Sequence, residues 1–319
     1  MFTRILVPLD GSARAEQALP VAARIARSSN AKLLLMQAVD ISMQIGLSAE
    51  ASFQLETLIE SKSDAAKLYL AERASANDMR DLPTETAVVV GAAAESILSA
   101  IEAQHADLVV MCGHGRTGIG RWALGSVAEH VARHAFMPVL VLRESGTFFA
   151  TPDTTSESTV RAMVTLDGSK YAEAALEPAA DLVLSLSTLG HAALHLALVA
   201  PLYEASPSST AQELLVEGAK SYLSQTAQQT LEAHPQLQIT WSVSTQMDVA
   251  QSLVALAESG EGAGASAKPP SDLIAMATHG ASGIARWAMG SITDRVLHAT
   301  KLPVLIVRPR ELAEQQKPH

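Results

Sequence analysis

The chain says nearly everything twice. The stretch RILVPLDGSARAEQAL, beginning at Arg4, returns as RAMVTLDGSKYAEAAL at Arg161. ADLVVMCGHGRTGIGRWALGSVAEHV, from Ala106, returns as SDLIAMATHGASGIARWAMGSITDRV from Ser271, and MPVLVLR ending at Arg143 returns as LPVLIVR ending at Arg308. Units of about 150 residues are far longer than solenoid repeats. The 319 residues therefore hold two copies of one domain. The expected limits are 1–145 for the first domain, 146–158 for a linker, 159–310 for the second domain and 311–319 for a tail. The linker region, ESGTFFATPDTTSES from Glu144 to Ser158, is polar and carries Pro152. Asp10 and Asp167 lie 157 positions apart and Gly115 and Gly280 lie 165 apart, so the second copy holds eight extra residues between these points. ESGEGAGASAKPPS, from Glu258 to Ser271, accounts for most of them and reads as a flexible surface loop.

Within each copy, aliphatic runs alternate with amphipathic stretches. In the first, RILVPL, AKLLLMQAVD, TETAVVVG, ADLVVMC and PVLVLR read as strands. Helices are expected from about Ser12, over Phe53 to Ala76, in AAESILSAIEAQ and in SVAEHVARHAF. Pro20 should kink the helix from Ser12, because proline lacks an N–H and its ring crowds the preceding turn. Continuous aliphatic strands between helices imply a parallel sheet covered on both faces. Ligands of such sheets sit beyond the carboxyl ends of the strands, where the strand order reverses.

The totals narrow the function. Aromatics make up 4% of the chain, which favours close-packed helices over an aromatic-rich sandwich. A net charge of −10 argues against nucleic acid or anionic lipid as a partner, since both demand a basic surface. A single cysteine, Cys112, rules out a disulfide within the chain and fits the cytoplasm. The start, MFTRILVPLDGS, does not read as a signal peptide, and no apolar run approaches the roughly 18–20 residues of a membrane span.

Gly113, Gly115 and Gly118 spell G-x-G-x-x-G, the pattern of a dinucleotide-binding turn. That turn belongs after the first strand of its unit, needs a helix to start at once, and needs an acidic strand end about 20 residues on. Here the pattern follows the fourth strand, and the second copy replaces Gly113 with Thr278. Both copies keep His-Gly, nine residues and Gly-Ser. Gly115 and Gly280, just past a strand end, would let backbone N–H groups approach an anion. Gly125-Ser126 and Gly290-Ser291 open a helix whose amides and dipole favour phosphate. The plain alternative is a turn glycine followed by a serine N-cap, with no ligand.

These motifs together resemble the universal stress protein (UspA-like) family in a tandem two-domain form. The resemblance covers nearly the whole chain and rests on ILVPLDGS, on HGRTGIGRWALGSVAEHVARHAFMPVLVLR and on their second copies. It implies an α/β fold of two repeated five-stranded parallel-sheet sandwiches, Rossmann-like and of the adenine nucleotide alpha hydrolase-like, or HUP, type. It also implies, for one branch, ATP binding through G-x-x-G, nine residues and G-[ST]. By position, Asp10 and Asp167 match the first-strand aspartate near adenine and ribose, and Ala38 and Val199 match the second-strand position beside adenine. Gly115, Gly125 and Ser126 match the phosphate-binding part, as do Gly280, Gly290 and Ser291. The motif's first glycine is replaced by Cys112 and Ala277. If that position needs a positive φ, a β-carbon costs on the order of 1 kcal/mol. Arg116 adds a phosphate contact in the first copy, where the second has Ala281, so the first copy is the better expected ATP site.

The other candidates have bland readings. His114 and His279 are expected to make structural hydrogen bonds within the loop, and Trp122 and Trp287 to pin it. His105, His130 and His134 lack paired ligand spacing, so no dedicated metal site is expected, although bound nucleotide could bring Mg²⁺. Cys112, after an apolar strand, is expected to be inert. Val139–Leu142 and Val304–Val307 are edge-strand candidates. In the family the fifth strand mediates dimerisation, so the copies are expected to pair there as an internal pseudo-dimer, with homodimerisation also open. The expected function is a cytoplasmic ATP-binding regulator or sensor with no catalytic residues. The alternatives are a nucleotide-free interaction module and a slow ATPase.

Overall fold

The computed structural model describes residues 1–40, 49–113, 124–143, 159–187, 191–201, 209–260, 269–280 and 289–309. The expected linker, most of the expected loop at 258–271 and the tail lie outside the described residues. The described chain divides into two units, one built on Phe2–Leu142 and the other on the elements from Val160 onward.

The first unit runs β1 (Arg4–Leu9), α1 (Ala13–Glu16), α2 (Ala18–Ser29), β2 (Lys32–Val39), α3 (Ala49–Ala74), β3 (Thr84–Val90), α4 (Ala93–Ala103), β4 (Leu108–Cys112), α5 (Ser126–His134) and β5 (Val139–Leu142). Its strands are parallel in the order β3-β2-β1-β4-β5. The second unit runs β6 (Val160–Thr165), α6 (Lys170–Glu173), α7 (Leu176–Leu186), β7 (Ala192–Pro201), α8 (Ser209–Ala233), β8 (Gln238–Gln246), α9 (Val249–Ser259), β9 (Leu273–Ala277), α10 (Ser291–Ala299) and β10 (Val304–Val307). Its order, β8-β7-β6-β9-β10, repeats the first. The α/β class and the five parallel strands in each copy follow the expectation.

The central strands are buried on both faces. Ile5, Leu6 and Val7 of β1 and Leu108, Val109 and Val110 of β4 expose no surface. Each such side chain contributes about 1.5–3 kcal/mol on burial. β3, at the end of the order, has only half-buried and exposed residues instead.

Pro20 does more than kink a helix. The chain stops at Gln17 and restarts, which leaves Pro20 third in α2. First-turn amides have no helical acceptor, so a missing N–H loses nothing there. Pro178 holds the same place in α7.

Asp107 and Asp272 fasten the starts of the first strands. Asp107 accepts from Thr3 N at 2.7 Å, Thr3 Oγ1 at 2.6 Å and Arg4 N at 3.0 Å; Asp272 accepts from Arg161 N at 2.8 Å. His105 lies just past α4 with φ 51°, a left-handed residue where the chain turns into β4.

Candidate functional site

In both units the strand order reverses between the first and fourth strands. β1 and β4 pair through Ile5 and Leu108, and β6 and β9 through Ala162 and Leu273. Two neighbouring parallel strands whose connections leave in opposite directions open a crevice at their carboxyl ends. Asp10 and Asp167 stand at that end. Asp10 Oδ1 accepts from Ser12 N at 3.0 Å and Ser12 Oγ at 2.6 Å, while Ser12 Oγ accepts from Ala15 N at 3.2 Å and caps α1. Asp167, Ser169 and Ala172 repeat the arrangement at 3.0, 2.6 and 3.2 Å. Between aspartate and serine lie Gly11 at φ +81° and Gly168 at φ +85°, a left-handed turn that disfavours a β-carbon. The D-G-S triplet is therefore a turn in its own right, and in the second copy its Asp167 also lines the cleft.

The crevice's other side is a helix start. Gly125 and Gly290 are the N-caps of α5 and α10, and neither supplies a side-chain oxygen. Ser126 and Ser291 are the first helical residues, so the two Gly-Ser pairs open these helices as expected and the serine N-cap of the plain alternative is not what forms. The first bonds inside these helices come from Glu129 N to Gly125 O and from Asp294 N to Gly290 O, both 2.9 Å. The earlier amides have no acceptor within the helix and point out of its positive end.

Each loop is stapled at its ends. Gly125 N donates to Gly113 O at 2.7 Å, and Gly290 N donates to Thr278 O at 2.7 Å. Residues 114–123 and 281–288 lie outside the described residues, and with them His114, Gly115, Arg116, Trp122 and Trp287. Gly113 is packed rather than permissive. A β-carbon there would lie 3.2 Å from Leu124 Cδ1, and its φ is not positive. Thr278 takes its place in the second copy, and its Oγ1 lies 3.0 Å from Nδ1 of the buried His279.

All six residues expected in the second copy line one cleft: Asp167, Val199, Ala277, Gly280, Gly290 and Ser291. Asp167 comes from the end of β6, Val199 from β7, Ala277 from β9, Gly280 from the following turn, and the last two from the start of α10. Thr293 closes the gap between the last two elements by donating from Oγ1 to Ala277 O at 2.8 Å. Gly280 leaves room for the Asp167 carboxylate: a β-carbon on it would fall 1.9 Å from Asp167 Oδ2 and would force that side chain to move. In the first copy, Asp10, Ala38, Cys112, Gly125 and Ser126 occupy the matching places on β1, β2, β4 and α5.

A family model described as the Universal stress protein family matches residues 1–143 and again residues 160–308. The chain belongs to the universal stress protein family.

Among its relatives, a universal stress protein of Mycolicibacterium smegmatis is 25% identical over 312 residues, 96% of this chain and 97% of that one. One from Methanocaldococcus jannaschii is 35% identical over 148 residues, 45% of this chain and 84% of that one. The fold is shared with a universal stress protein from Archaeoglobus fulgidus at TM-score 0.60, with 18% identity and 96% of each chain covered. Among the described residues, no helix of this universal stress protein is long and apolar enough to cross a membrane.

The two departures from the family's glycine are unstrained. Cys112 and Ala277 end β4 and β9, and neither has a positive φ. The penalty considered for a β-carbon there does not arise. Burial pushes the Cys112 thiol up to about 12, and the nearby Asp10 carboxylate pushes in the same direction. Its Sγ lies 3.9 Å from Ala15 O.

One pair escaped sequence reasoning altogether. Tyr69 Oη donates to Glu16 Oε1 at 2.9 Å, and Tyr222 Oη donates to Glu173 Oε1 at 2.9 Å. Each ties the short helix after D-G-S to the long helix of its unit. Burial and the glutamate bond raise both phenol pKa values. Arg73 Nη1 adds a contact to Glu16 Oε2 at 3.3 Å, and Thr226 stands at its counterpart position. The signal was the recurrence of both Glu and Tyr in the two copies.

Proposed function

We propose that this universal stress protein binds adenine nucleotide at the switch-point crevice of each copy and acts as a cytoplasmic stress-response regulator or sensor. ATP, with or without Mg²⁺, is assigned to the first copy through Asp10, Ala38, Cys112, Gly115, Arg116, Gly125 and Ser126. The observation that carries the reading is the convergence of Asp167, Val199, Ala277, Gly280, Gly290 and Ser291 on a single cleft. That cleft joins a carboxylate, an apolar wall and a helix start whose cap has no side chain, three features suited in turn to ribose, adenine and phosphate. We further propose domain borders at 1–145 and 159–310, and pairing of the repeats through Val139–Leu142 and Val304–Val307, with homodimerisation through the same strands as the other arrangement.

The test starts with denaturing the purified protein and separating any released nucleotide by chromatography. Released adenine nucleotide, or a thermal shift on adding ATP, supports the reading; the absence of both refutes it. Gly115→Val and Gly280→Val, made singly, assign the nucleotide to one copy or the other.

A further inference from the structure

We infer that Tyr69 and Tyr222 are positioning residues of the two crevices. Each clamps the end of the short helix that follows D-G-S, and so sets how tightly its crevice holds a ligand. The effect on affinity rests on the adenine-nucleotide reading above.

The short helices cannot hold themselves. α1 and α6 are four residues long. The backbone bonds that close their turns are at the long end of the range, Glu16 N to Ser12 O at 3.2 Å and Glu173 N to Ser169 O at 3.3 Å. A single helical turn fixes several dihedrals for one hydrogen bond, so it persists only where outside contacts support it. Ser12 Oγ and Ser169 Oγ support the starts, accepting from Ala15 N and Ala172 N at 3.2 Å. The ends are held from the long helices. Glu16 and Glu173 are the last residues of α1 and α6, and each accepts from a tyrosine hydroxyl at 2.9 Å. A carboxylate acceptor makes this a charge-assisted bond, stronger than one between neutral groups. The tyrosines stand on fixed ground, because Leu70 and Leu223, which follow them, expose no surface.

What is clamped belongs to the crevice. In the second copy Asp167 and Ala172 both line the cleft, one before α6 and one inside it, and Glu173 is the residue after Ala172. In the first copy Ala15, the residue before Glu16, holds its carbonyl 3.9 Å from the Sγ of Cys112 at the end of β4. A slackened helix end therefore displaces these atoms through the backbone alone. The two copies reinforce the same bond differently. Arg73 adds its contact to Glu16 Oε2 at 3.3 Å, whereas Thr226, at the matching position, bonds to the Tyr222 hydroxyl.

The experiment uses the full chain with Tyr69→Phe, Tyr222→Phe and both together, each shown folded by circular dichroism. Phenylalanine keeps the ring and removes only the hydroxyl. Without ligand, amide hydrogen exchange is expected to quicken about tenfold in α1 of Tyr69→Phe and in α6 of Tyr222→Phe, with the strands unchanged. Glu173→Leu is expected to match Tyr222→Phe, and Glu173→Gln, which keeps an oxygen for the hydroxyl, to recover most of the lost protection. Calorimetric titration with ATP is expected to show the double variant binding at least about fivefold more weakly than the unsubstituted chain, and the single variants assign the loss to a copy. Unchanged exchange in the short helices, or quickened exchange with ATP held as tightly as before, overturns the positioning role and leaves the nucleotide reading intact. No ATP bound by the folded, unsubstituted chain overturns the nucleotide reading and the effect on affinity with it, while exchange still decides the clamp.

Discussion

The carboxylate of Asp167 occupies the space that a side chain on Gly280 would need, with Oδ2 only 1.9 Å from the position of its β-carbon. The same carboxylate holds Ser169 through Oδ1. Gly280→Ala must therefore rotate Asp167 away and weaken the cap of α6. We expect a loss of about 1–2 kcal/mol, the scale of a helix cap. In an Asp167→Ala background the same substitution should cost less than half as much. Urea unfolding of the four proteins gives the coupling directly, and equal costs in both backgrounds would refute the contact.

Gly168 and Gly218 should respond in opposite directions to alanine. Neither has an atom within 4 Å of its would-be β-carbon, so space does not decide. Gly168 has φ +85°, where a β-carbon costs about 1–2 kcal/mol. Gly218 lies inside α8, where alanine is favoured by roughly 0.8–1 kcal/mol. Thermal melts of Gly168→Ala and Gly218→Ala should move down and up respectively.

Arg27 grips Asp81 with both arms, Nε to Oδ2 at 2.7 Å and Nη2 to Oδ1 at 2.7 Å. The bond lowers the Asp81 carboxyl to about 2 from an ordinary 3.8. A carboxylate lowered on folding adds stability that is fully present above the ordinary value and is lost as pH falls toward the folded one. Asp81→Asn should therefore be less stable than the parent above about pH 5, and the gap should close between about pH 4 and 2. Both groups are exposed, so the gap is small and should shrink with salt. Urea midpoints across pH 2–6 measure it; a gap unchanged at pH 2 would rule out the pair as its source.

Cys112, raised to about 12 by burial, should hold almost no thiolate at pH 8. A disulfide reagent is expected to label the folded chain at least 100-fold more slowly than the chain in denaturant. Equal rates would show that the thiol is open in the native state.

The frame was legible because its signals are local. Aliphatic runs marked β1, β2 and β4 within one or two residues, and Gly125 marked the start of α5. Pro20 was read as a kink in one continuous helix, whereas the chain ends α1 at Glu16 and restarts at Ala18 with Pro20 in the first turn. The serines after Gly125 and Gly290 look like caps in any sequence, yet glycine caps both helices and serine follows. What could not be read was contact between distant residues. Glu16 and Tyr69 are separated by 53 positions, and nothing local in either announces the other. The dependence of Gly280 on Asp167 is of the same kind, since the motif shows the glycine but not the carboxylate that a side chain there would displace.

The bonds from Gly125 N to Gly113 O and from Gly290 N to Thr278 O have an evolutionary consequence. Each bridges eleven intervening residues by backbone groups alone, so this tie between the two ends depends on no side chain. A substitution in the loop can therefore change its chemistry without removing that backbone tie. A duplicated chain built this way holds two loops that selection can retune one at a time.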